Sequence, residues 1–555
     1  MTDESVPTQQ CEICIVGTGA AGGILAYRLA SAGRHVVSLE QGGPIDNDYF
    51  TNDRSAESLP KFGLCPEMKW PMPASEGYLY ANHQASRLYA KADTSATTAS
   101  SEERFVNRQI FRLNGKLNLW NAVALRMSPR DFRGRDHGDS DTNWAIGYDD
   151  LEHHYSSVEQ LIGVCGTTEH LDVLPDGKFI PPLPLRPADE WVMKSLRKIR
   201  GDRIQAIPTR KAVETRLEKS HHCRSCGECV FGCRYGSTYK FSSHLLPQIQ
   251  QRSNFHIRYH CKVSRLLREP ETSRIRIVDC IDTRTGQKFR IEPRIVILAT
   301  GALETPRILF NSGDAVFPSG LANRSGLLGC YLQDKVRAMV AAPLLRRFGD
   351  RTPYAADCGD HLLIPRFALN RNDIRGGFQA QVCHVLPRHP YYVEGLMPFP
   401  SWTRKWLAKR LFRTFVALLF LGKPEAQKSN RVVVSPERDR YGVPKLDVQY
   451  RFSQNDLRMR AEMVYCGKKI IRKCSGVLTN VFDDDLPGST IHYAGTCRLA
   501  AKPSNGVVDI NLRSFDHPNL YLCDGSVMPE MSEKNLTLTI MALADRLASR
   551  LLTDE

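Results

Sequence analysis

The sequence predicts an α/β fold, and its N-terminal part gives the main reason. Residues 13–16 form a short apolar run, residues 17–22 read Gly-Thr-Gly-Ala-Ala-Gly, and apolar residues at helical spacing follow. A second apolar strand, residues 35–39, ends in Glu40. A strand, a GxGxxG turn, a helix and a strand that ends in an acidic residue are typical of a Rossmann-like dinucleotide-binding domain.

The glycines of this turn have separate expected roles. Gly17 permits the tight turn, Gly19 lets the backbone approach a pyrophosphate, and Gly22 lets the helix pack closely on the strand. Free N–H groups at the helix N-terminus attract the anion, and the Glu40 carboxylate is expected to accept hydrogen bonds from both ribose hydroxyls. These features predict a bound dinucleotide but do not separate NAD from FAD.

A second group of motifs lies towards the C-terminus. His492 opens an H-x-x-G-T pattern, Asp524 and Gly525 follow a short apolar strand, and Asn535 precedes an apolar stretch that reads as a helix. Together with residues 13–43, these motifs resemble the glucose-methanol-choline (GMC) oxidoreductases, flavoenzymes that oxidise alcohols. Further segments that resemble the family lie at 112–126, 144–166 and 296–306.

The resemblance implies that the dinucleotide is FAD. Asn114 stands where the family usually has the first of two glycines, so this segment departs from the usual pattern. No histidine occurs in residues 112–121, so the histidyl-linked flavin of some relatives is not expected and the FAD should be noncovalent. The cofactor-binding residues implied by the resemblance are Gly17, Gly19, Gly22, Glu40, Gly115, Asn118, Asn121, Val263, Ala302, Asp524 and Gly525.

Two residues are the expected catalytic pair. His492 resembles the family's active-site histidine, and Asn535 matches a position that His or Asn occupies in different members. Oxidation of an alcohol by hydride transfer to flavin N5 requires loss of the hydroxyl proton, which a neutral imidazole accepts near neutral pH. Asn535 is expected to hydrogen-bond the same oxygen and orient the carbon–hydrogen bond.

The order of the motifs predicts two interleaved domains. The Rossmann-like FAD-binding domain is expected to comprise residues 1–45, 105–143, 235–335 and 490–555. A second domain, of α+β character with an antiparallel sheet, is expected to bind the substrate; it comprises residues 144–220 and 336–489, with strands at 431–434 and 446–452.

A cysteine-rich segment, residues 221–234, is expected where the chain returns to the FAD-binding domain. Its cysteines, Cys223, Cys226, Cys229 and Cys233, are spaced C-x2-C-x2-C-x3-C, which resembles the bacterial ferredoxin run that holds an iron–sulfur cluster. Arg234 follows where the ferredoxins have proline. Because His221 and His222 lie beside the cysteines, a structural zinc site is a second interpretation. A third is reduced thiols without metal, since some GMC members have a similar cysteine-rich insert.

Composition limits partners and location. The formal net charge is +15, but no nucleic-acid recognition motif accompanies it, so nucleic acid is not an expected partner. No run of about 18 uncharged apolar residues occurs, and the N-terminus shows no signal peptide. The 17 cysteines are expected to be thiols or ligands rather than disulfides. These features predict a cytoplasmic location.

Residues 402–421 allow two interpretations. Five basic residues alternate there with aromatic and leucine residues, which is typical of a helix lying at a membrane surface. Alternatively, a helix of the substrate domain with a solvated basic face leads into a buried strand at 415–421. Peripheral membrane contact therefore stays open. The basic residues are Arg404, Lys405, Lys409, Arg410 and Arg413.

The expected reaction is oxidation of a primary or secondary alcohol to a carbonyl. A sugar, cyclitol or other polyol is the favoured substrate, because the cysteine-bearing relatives often act on carbohydrates. A long-chain or terpenoid alcohol at a membrane surface is the first alternative, and a non-redox flavoprotein lyase is the second. Oxygen, a quinone or a redox protein is the expected electron acceptor.

Overall fold

The computed structural model shows an α/β architecture with two main sheets. It describes residues 6–45, 49, 88–98, 105–133, 144–199, 204–225, 229–346, 359–367, 374–384, 400, 403, 414–477, 479–483 and 486–553.

The elements of the described part are numbered here in chain order. The strands are β1 Thr8–Val16, β2 Val36–Leu39, β3 Val164–Cys165, β4 Ile207–Pro208, β5 Lys211–Ala212, β6 Phe255–Arg258, β7 Cys261–Arg268, β8 Ile275–Asp282, β9 Lys288–Leu298, β10 Val336–Pro343, β11 Gly359–Ile364, β12 Phe378–His384, β13 Phe415–Gly422, β14 Arg431–Arg438, β15 Pro444–Gln449, β16 Asn480–Phe482 and β17 Leu520–Leu522. The α-helices are α1 Ala20–Ser31, α2 Asp149–Ile162, α3 Pro187–Leu196, α4 Phe241–His244, α5 Leu246–Ile249, α6 Glu304–Asn311, α7 Gln454–Lys473 and α8 Thr537–Thr553.

The first sheet is built on the N-terminal strand, turn and helix that the sequence predicts. β6, β2, β1 and β9 lie parallel in that order, and β17 runs parallel to the end of β9. β8 and β7 extend the sheet in antiparallel orientation. Helix α1 packs against α8, which packs against α2. The Rossmann-like prediction is confirmed.

The second sheet is antiparallel, as predicted, in the order β16–β10–β13–β12–β11–β4. Alternating residues of its strands bury one face against α7 and α3, including Val340, Ala380 and Leu418. A strand's side chains alternate between faces, so Arg337, Met339 and Gln381 lie on the opposite face. That second face forms one wall of the candidate site.

The predicted strands at 431–434 and 446–452 occupy a different place from the one expected. β14 and β15 pair with each other rather than with the main antiparallel sheet. Their buried residues Val432, Leu446 and Val448 pack with Leu303 and other residues beside the first sheet. An apolar alternating pattern predicts a half-buried strand but not which sheet it joins.

The segment at 402–421 is described only in part. Residues 404–413, which carry the basic cluster, lie outside the described residues. The predicted buried strand is present as β13, in which Val416, Leu418 and Phe420 are buried. Among the described residues, no helix has both the length and the apolar character needed to cross a bilayer.

Candidate active site

The glycine turn after β1 brings the backbone into the site. Gly17 has a positive φ of 95° and continues directly from the strand. A Cβ at Gly22 would lie only 1.9 Å from the Gly17 carbonyl oxygen, so the helix could not pack on the turn with any side chain there. A Cβ at Gly19 would meet no atom within 4 Å. Gly19 caps α1, so open space lies next to the N-terminus of that helix, where a pyrophosphate would fit.

Glu40 follows β2 and is held in place by the same turn. Its carboxylate accepts hydrogen bonds from Thr18 Oγ1 at 2.6 Å and from the backbone N–H of Gly42 at 3.1 Å. Burial raises the pKa of Glu40 to about 7. Hydroxyl donors from a ribose would favour the ionised carboxylate, because a hydrogen bond to the charged form lowers its pKa.

The segment at 112–126 covers the turn from the other side. Gly115 begins a short 3-10 turn, and a Cβ there would lie 3.7 Å from Gly19 Cα. Asn121 is on the cavity wall, where its Oδ1 accepts from Lys211 Nζ at 3.0 Å. Asn118, also predicted to contact the flavin, is not among the residues that line the cavity. It is buried away from the cavity, and its amide donates to the carbonyls of residues 113 and 115.

Asp524 connects the C-terminal motif to the turn after β9. Its carboxylate accepts from Gly301 N at 2.8 Å, Thr305 Oγ1 at 2.6 Å and Ser526 N at 2.7 Å. The last of these bonds caps the 3-10 turn Gly525–Val527. The carboxylate therefore fixes two backbone turns on the cavity wall.

These elements surround one cavity of about 440 Å³. It lies at the C-terminal ends of β1, β2 and β9, where ligands bind in open parallel sheets, and the second face of the antiparallel sheet closes its far side. The predicted site residues that line it are Gly17, Gly19, Glu40, Gly115, Asn121, Val263, Ala302, His492, Asp524, Gly525 and Asn535.

His492 and Asn535 face each other on the wall of this cavity. His492 Nε2 lies 3.4 Å from Asn535 Nδ2. The backbone N–H of His492 donates to Asp334 Oδ1 at 3.1 Å. The buried Asp334 carboxylate also accepts from the N–H groups of Gly488 and Thr490. The loop that carries the histidine is therefore anchored on one buried carboxylate.

The surroundings of His492 keep its imidazole neutral. Burial lowers its pKa well below the ordinary value, and the nearby cations of Lys335 and Lys116 lower it further. A neutral imidazole has a lone pair free to accept a proton at neutral pH. The structure thus places a neutral base and an amide side by side.

Sequence reasoning did not identify the two lysines. Lys116 lies on the cavity wall with its Nζ 3.7 Å from the centroid of the Tyr493 ring. Lys335 is fully buried, and its Nζ donates to the carbonyl of Ser532. Burial lowers the pKa of both lysines to about 7. Lys116 lies next to Gly115 in the flavin-contacting segment, and this position was the available signal.

Sequence reasoning also missed two glutamines on β12. Gln379 and Gln381 are buried, and each donates from Nε2 to Asn535 Oδ1, at 3.2 and 3.1 Å. The available signal was the alternation of residues 378–382, Phe-Gln-Ala-Gln-Val. This pattern places two amides on one face of a strand whose other face is apolar.

The cysteine-rich segment is not arranged as a metal site in the described residues. Cys223 Sγ accepts from Ser225 N, Cys229 Sγ lies 3.7 Å from Lys211 Nζ, and the ring of His221 packs on His244. Cys226 lies outside the described residues. In the part of the chain that is described, no three His, Cys, Asp or Glu side chains are grouped to hold a metal ion, Cys223, Cys229 and Cys233 included. The iron–sulfur and zinc interpretations stay predictions.

Comparison with known proteins agrees with this geometry. Models described as GMC oxidoreductase match residues 208–336 and 426–544. The chain belongs to the GMC oxidoreductase family. The match at 426–544 includes both His492 and Asn535, and the match at 208–336 includes Val263 and Ala302.

This GMC oxidoreductase is similar to its relatives over nearly its whole length. It is 24% identical to paromamine 6'-oxidase of Streptomyces fradiae, over 98% of this chain and 91% of that protein. It is 24% identical to 2-methyl-1,2-propanediol dehydrogenase of Mycolicibacterium austroafricanum, over 97% of this chain and 94% of that protein. The crystal structure of pyridoxine 4-oxidase from Mesorbium loti has the same fold, with a TM-score of 0.62, 19% identity and coverage of 98% and 99% of the two chains.

The family and the relatives establish the reaction class. The chain is an FAD-dependent oxidoreductase that acts on CH–OH donors. The residues present fit FAD, because the open space at Gly19, the N-terminus of α1 and the carboxylate of Glu40 lie on one cavity wall. The predicted catalytic residues His492 and Asn535 lie on the wall of that same cavity.

Proposed function

We propose that this enzyme oxidises a primary or secondary alcohol to a carbonyl, with His492 as the base. One observation carries the proposal: the neutral imidazole of His492 and the amide of Asn535 lie 3.4 Å apart on the wall of the cavity that holds the dinucleotide turn. A base, a hydrogen-bond donor and the cofactor cradle therefore border the same space.

The two side chains have different roles at the alcohol oxygen. His492 Nε2 accepts the hydroxyl proton, and Asn535 Nδ2 donates a hydrogen bond to the same oxygen as the carbonyl forms. Bound FAD supplies a hydride acceptor at N5, so the alcohol loses one hydride and one proton and becomes an aldehyde or ketone. The imidazolium then releases its proton readily, because burial and two nearby cations disfavour the charged form.

We propose a sugar, cyclitol or other polyol as the substrate. The relatives include an oxidase named for paromamine and a dehydrogenase named for a diol. The side chains that the antiparallel sheet presents to the cavity include polar Arg337 and Gln381 next to Met339 and Leu419. Polar groups with hydrogen-bonding capacity suit a substrate with several hydroxyls, whereas a long alkyl chain gains nothing from them.

A panel of alcohols tests this proposal directly. The purified flavoprotein is mixed anaerobically with glucose, myo-inositol, 2-methyl-1,2-propanediol, pyridoxine, dodecanol or geraniol, and the loss of flavin absorbance is recorded. We expect bleaching by a polyol. Faster bleaching by dodecanol or geraniol would replace the polyol with the long-chain or terpenoid alternative. Conversion of an alcohol without bleaching would favour the lyase reaction.

The same preparation also identifies the electron acceptor. The reduced enzyme is mixed separately with oxygen, a soluble quinone and a one-electron dye. Rapid reoxidation by oxygen identifies an oxidase, and reoxidation by the quinone or dye alone identifies a dehydrogenase. Iron and zinc analysis of the anaerobic protein tests the metal interpretations of the cysteine-rich segment at the same time.

A further inference from the structure

Two buried glutamines have no part in the proton and hydride transfer described so far. Gln379 and Gln381 lie two residues apart on β12, and their relative exposures are 1% and 2%. A buried amide without partners is destabilising, so the partners of these side chains reveal their use. Both donate to a single atom, Oδ1 of Asn535.

The two glutamines fix which end of the Asn535 amide points into the site. A carbonyl oxygen has two lone pairs, and the two glutamine donors, at 3.2 and 3.1 Å, engage both. The Nδ2 end of Asn535 is therefore the end that faces His492 Nε2. If the Asn535 amide alone were inverted, with the glutamine Nε2 atoms left in place, its NH₂ group would meet two donors and its oxygen would face the histidine.

The orientation of Asn535 in turn determines the tautomer of His492. An amide NH₂ only donates, so Nε2 of His492 must be the unprotonated ring nitrogen that accepts. The proton then lies on Nδ1, which is buried and has no hydrogen-bond partner among the described residues. Because Nδ1 makes no hydrogen bond there, the contact between Nε2 and Asn535 is the one that sets the tautomer.

We infer that Gln379 and Gln381 are positioning residues that act through Asn535: they hold its donor end towards the reacting oxygen and keep Nε2 of His492 in its proton-accepting form. The inference rests on the proposed function and extends it. It also connects the antiparallel sheet to the catalytic pair, because β12 supplies both donors. Movement of β12 would alter the base as well as the substrate wall.

A spectroscopic experiment tests the tautomer without any substrate. The holoenzyme is labelled with nitrogen-15 histidine, and the His492 signals are assigned by their loss in His492→Ala. In the wild type we expect a proton on Nδ1 and an unprotonated Nε2. In the double variant Gln379→Leu/Gln381→Leu we expect a mixture of the two tautomers. A wild-type enzyme with the proton on Nε2 would overturn the inference.

A kinetic experiment uses the isosteric change Gln381→Glu. A carboxylate only accepts, so it should turn the Asn535 amide around and slow flavin reduction by about 10²-fold at pH 8. The introduced carboxyl group donates again once it is protonated, so the rate of this variant should rise as the pH falls from about 9 to 6, where the wild-type rate stays level. The probe is the panel alcohol that bleaches the wild-type flavin fastest.

Two controls separate positioning from loss of structure. Gln381→Leu removes one donor and adds no acceptor, so we expect a smaller loss, about tenfold, without the new pH dependence. Gln250→Glu makes the same chemical change at an exposed residue and should behave as the wild type. Equal losses in Gln381→Leu and Gln381→Glu, with level pH profiles in both, would contradict the positioning role.

The proposed function and this inference can fail separately. If no alcohol reduces the wild-type flavin, the proposed function fails and the labelled histidine still reports the tautomer. If the wild type is reduced but Gln381→Glu keeps the wild-type rate and pH profile, the proposed function stands and the glutamine inference is wrong.

Discussion

The two walls of the cavity are built in different ways. On the cofactor wall the backbone forms most of the surface, because Gly17, Gly19 and Gly22 lie within one turn and one helix end. On the substrate wall, side chains from separate strands form the surface, including Arg337, Gln381 and Leu419. A backbone cradle needs fixed residues at fixed spacing, whereas a side-chain wall needs only the correct face of each strand. The cofactor wall is therefore recognisable in the sequence as a motif, whereas the substrate wall is not.

The largest effect should come from adding bulk to the cofactor wall. In Gly22→Val the new Cβ would lie 1.9 Å from the Gly17 carbonyl oxygen, so α1 must move off the turn. We expect little folded protein and no bound flavin, measured by circular dichroism and by the ratio of flavin to protein.

Gly19→Ala is the matched control for that change. Its Cβ projects into open space, so the variant should fold like the wild type but bind less flavin, because the methyl group occupies the place of the pyrophosphate. Full flavin occupancy in Gly19→Ala would show that the dinucleotide does not approach the turn there.

At Glu40 we expect a pH-dependent change of a few kcal/mol in the free energy of unfolding. Burial raises its pKa to about 7 from 4.5, so the folded apoprotein keeps a proton that the unfolded chain releases. The free energy of unfolding should therefore fall by up to about 3 kcal/mol as the pH rises from about 4.5 to about 7. Glu40→Gln has no proton to lose and should lack this fall.

Denaturant unfolding of the flavin-free protein at several pH values measures that difference. Glu271→Gln, at an exposed position, is the matched control and should keep the wild-type curve. If the wild type and Glu40→Gln differ by the same free energy throughout the pH range, the buried carboxylate does not hold the proton.

The difference between the two walls also explains which residues could be predicted from the sequence alone. The turn at Gly17, the acidic end of β2 and the pair His492 and Asn535 were all predicted, because each belongs to a motif with local spacing. Asn118 was predicted to contact the flavin, and in the structure its amide donates to two carbonyls of its own loop. An asparagine in a turn serves either purpose, and only the fold decides between them.

The unpredicted residues depend on long-range contacts. Gln379 and Gln381 act on Asn535 from a strand more than 150 positions earlier in the chain, and no local pattern records that distance. The same holds for β14 and β15, whose alternation predicted strands but not their separate pairing. Register and sheet membership are tertiary properties.

The smallest expected effect on the reduction rate is at Lys116, which lies on the cavity wall beside the Tyr493 ring. Its cation lowers the pKa of His492, but burial is the larger cause and Lys335 stays in place. Lys116→Met should therefore raise the pKa of His492 and move the acidic limb of the flavin-reduction rate to higher pH. Lys219→Met, at an exposed residue, should leave the limb unchanged, and an unmoved limb in both variants would show that Lys116 does not act on the base.

We propose above that His492 removes the alcohol proton inside the flavin cavity. The most direct test of this proposal is anaerobic stopped-flow reduction of the flavin in His492→Ala, with the exposed His35→Ala as control. We expect normal flavin content in both variants and a loss of about 10²- to 10⁴-fold in the reduction rate of His492→Ala alone. A wild-type reduction rate in His492→Ala would contradict the proposal.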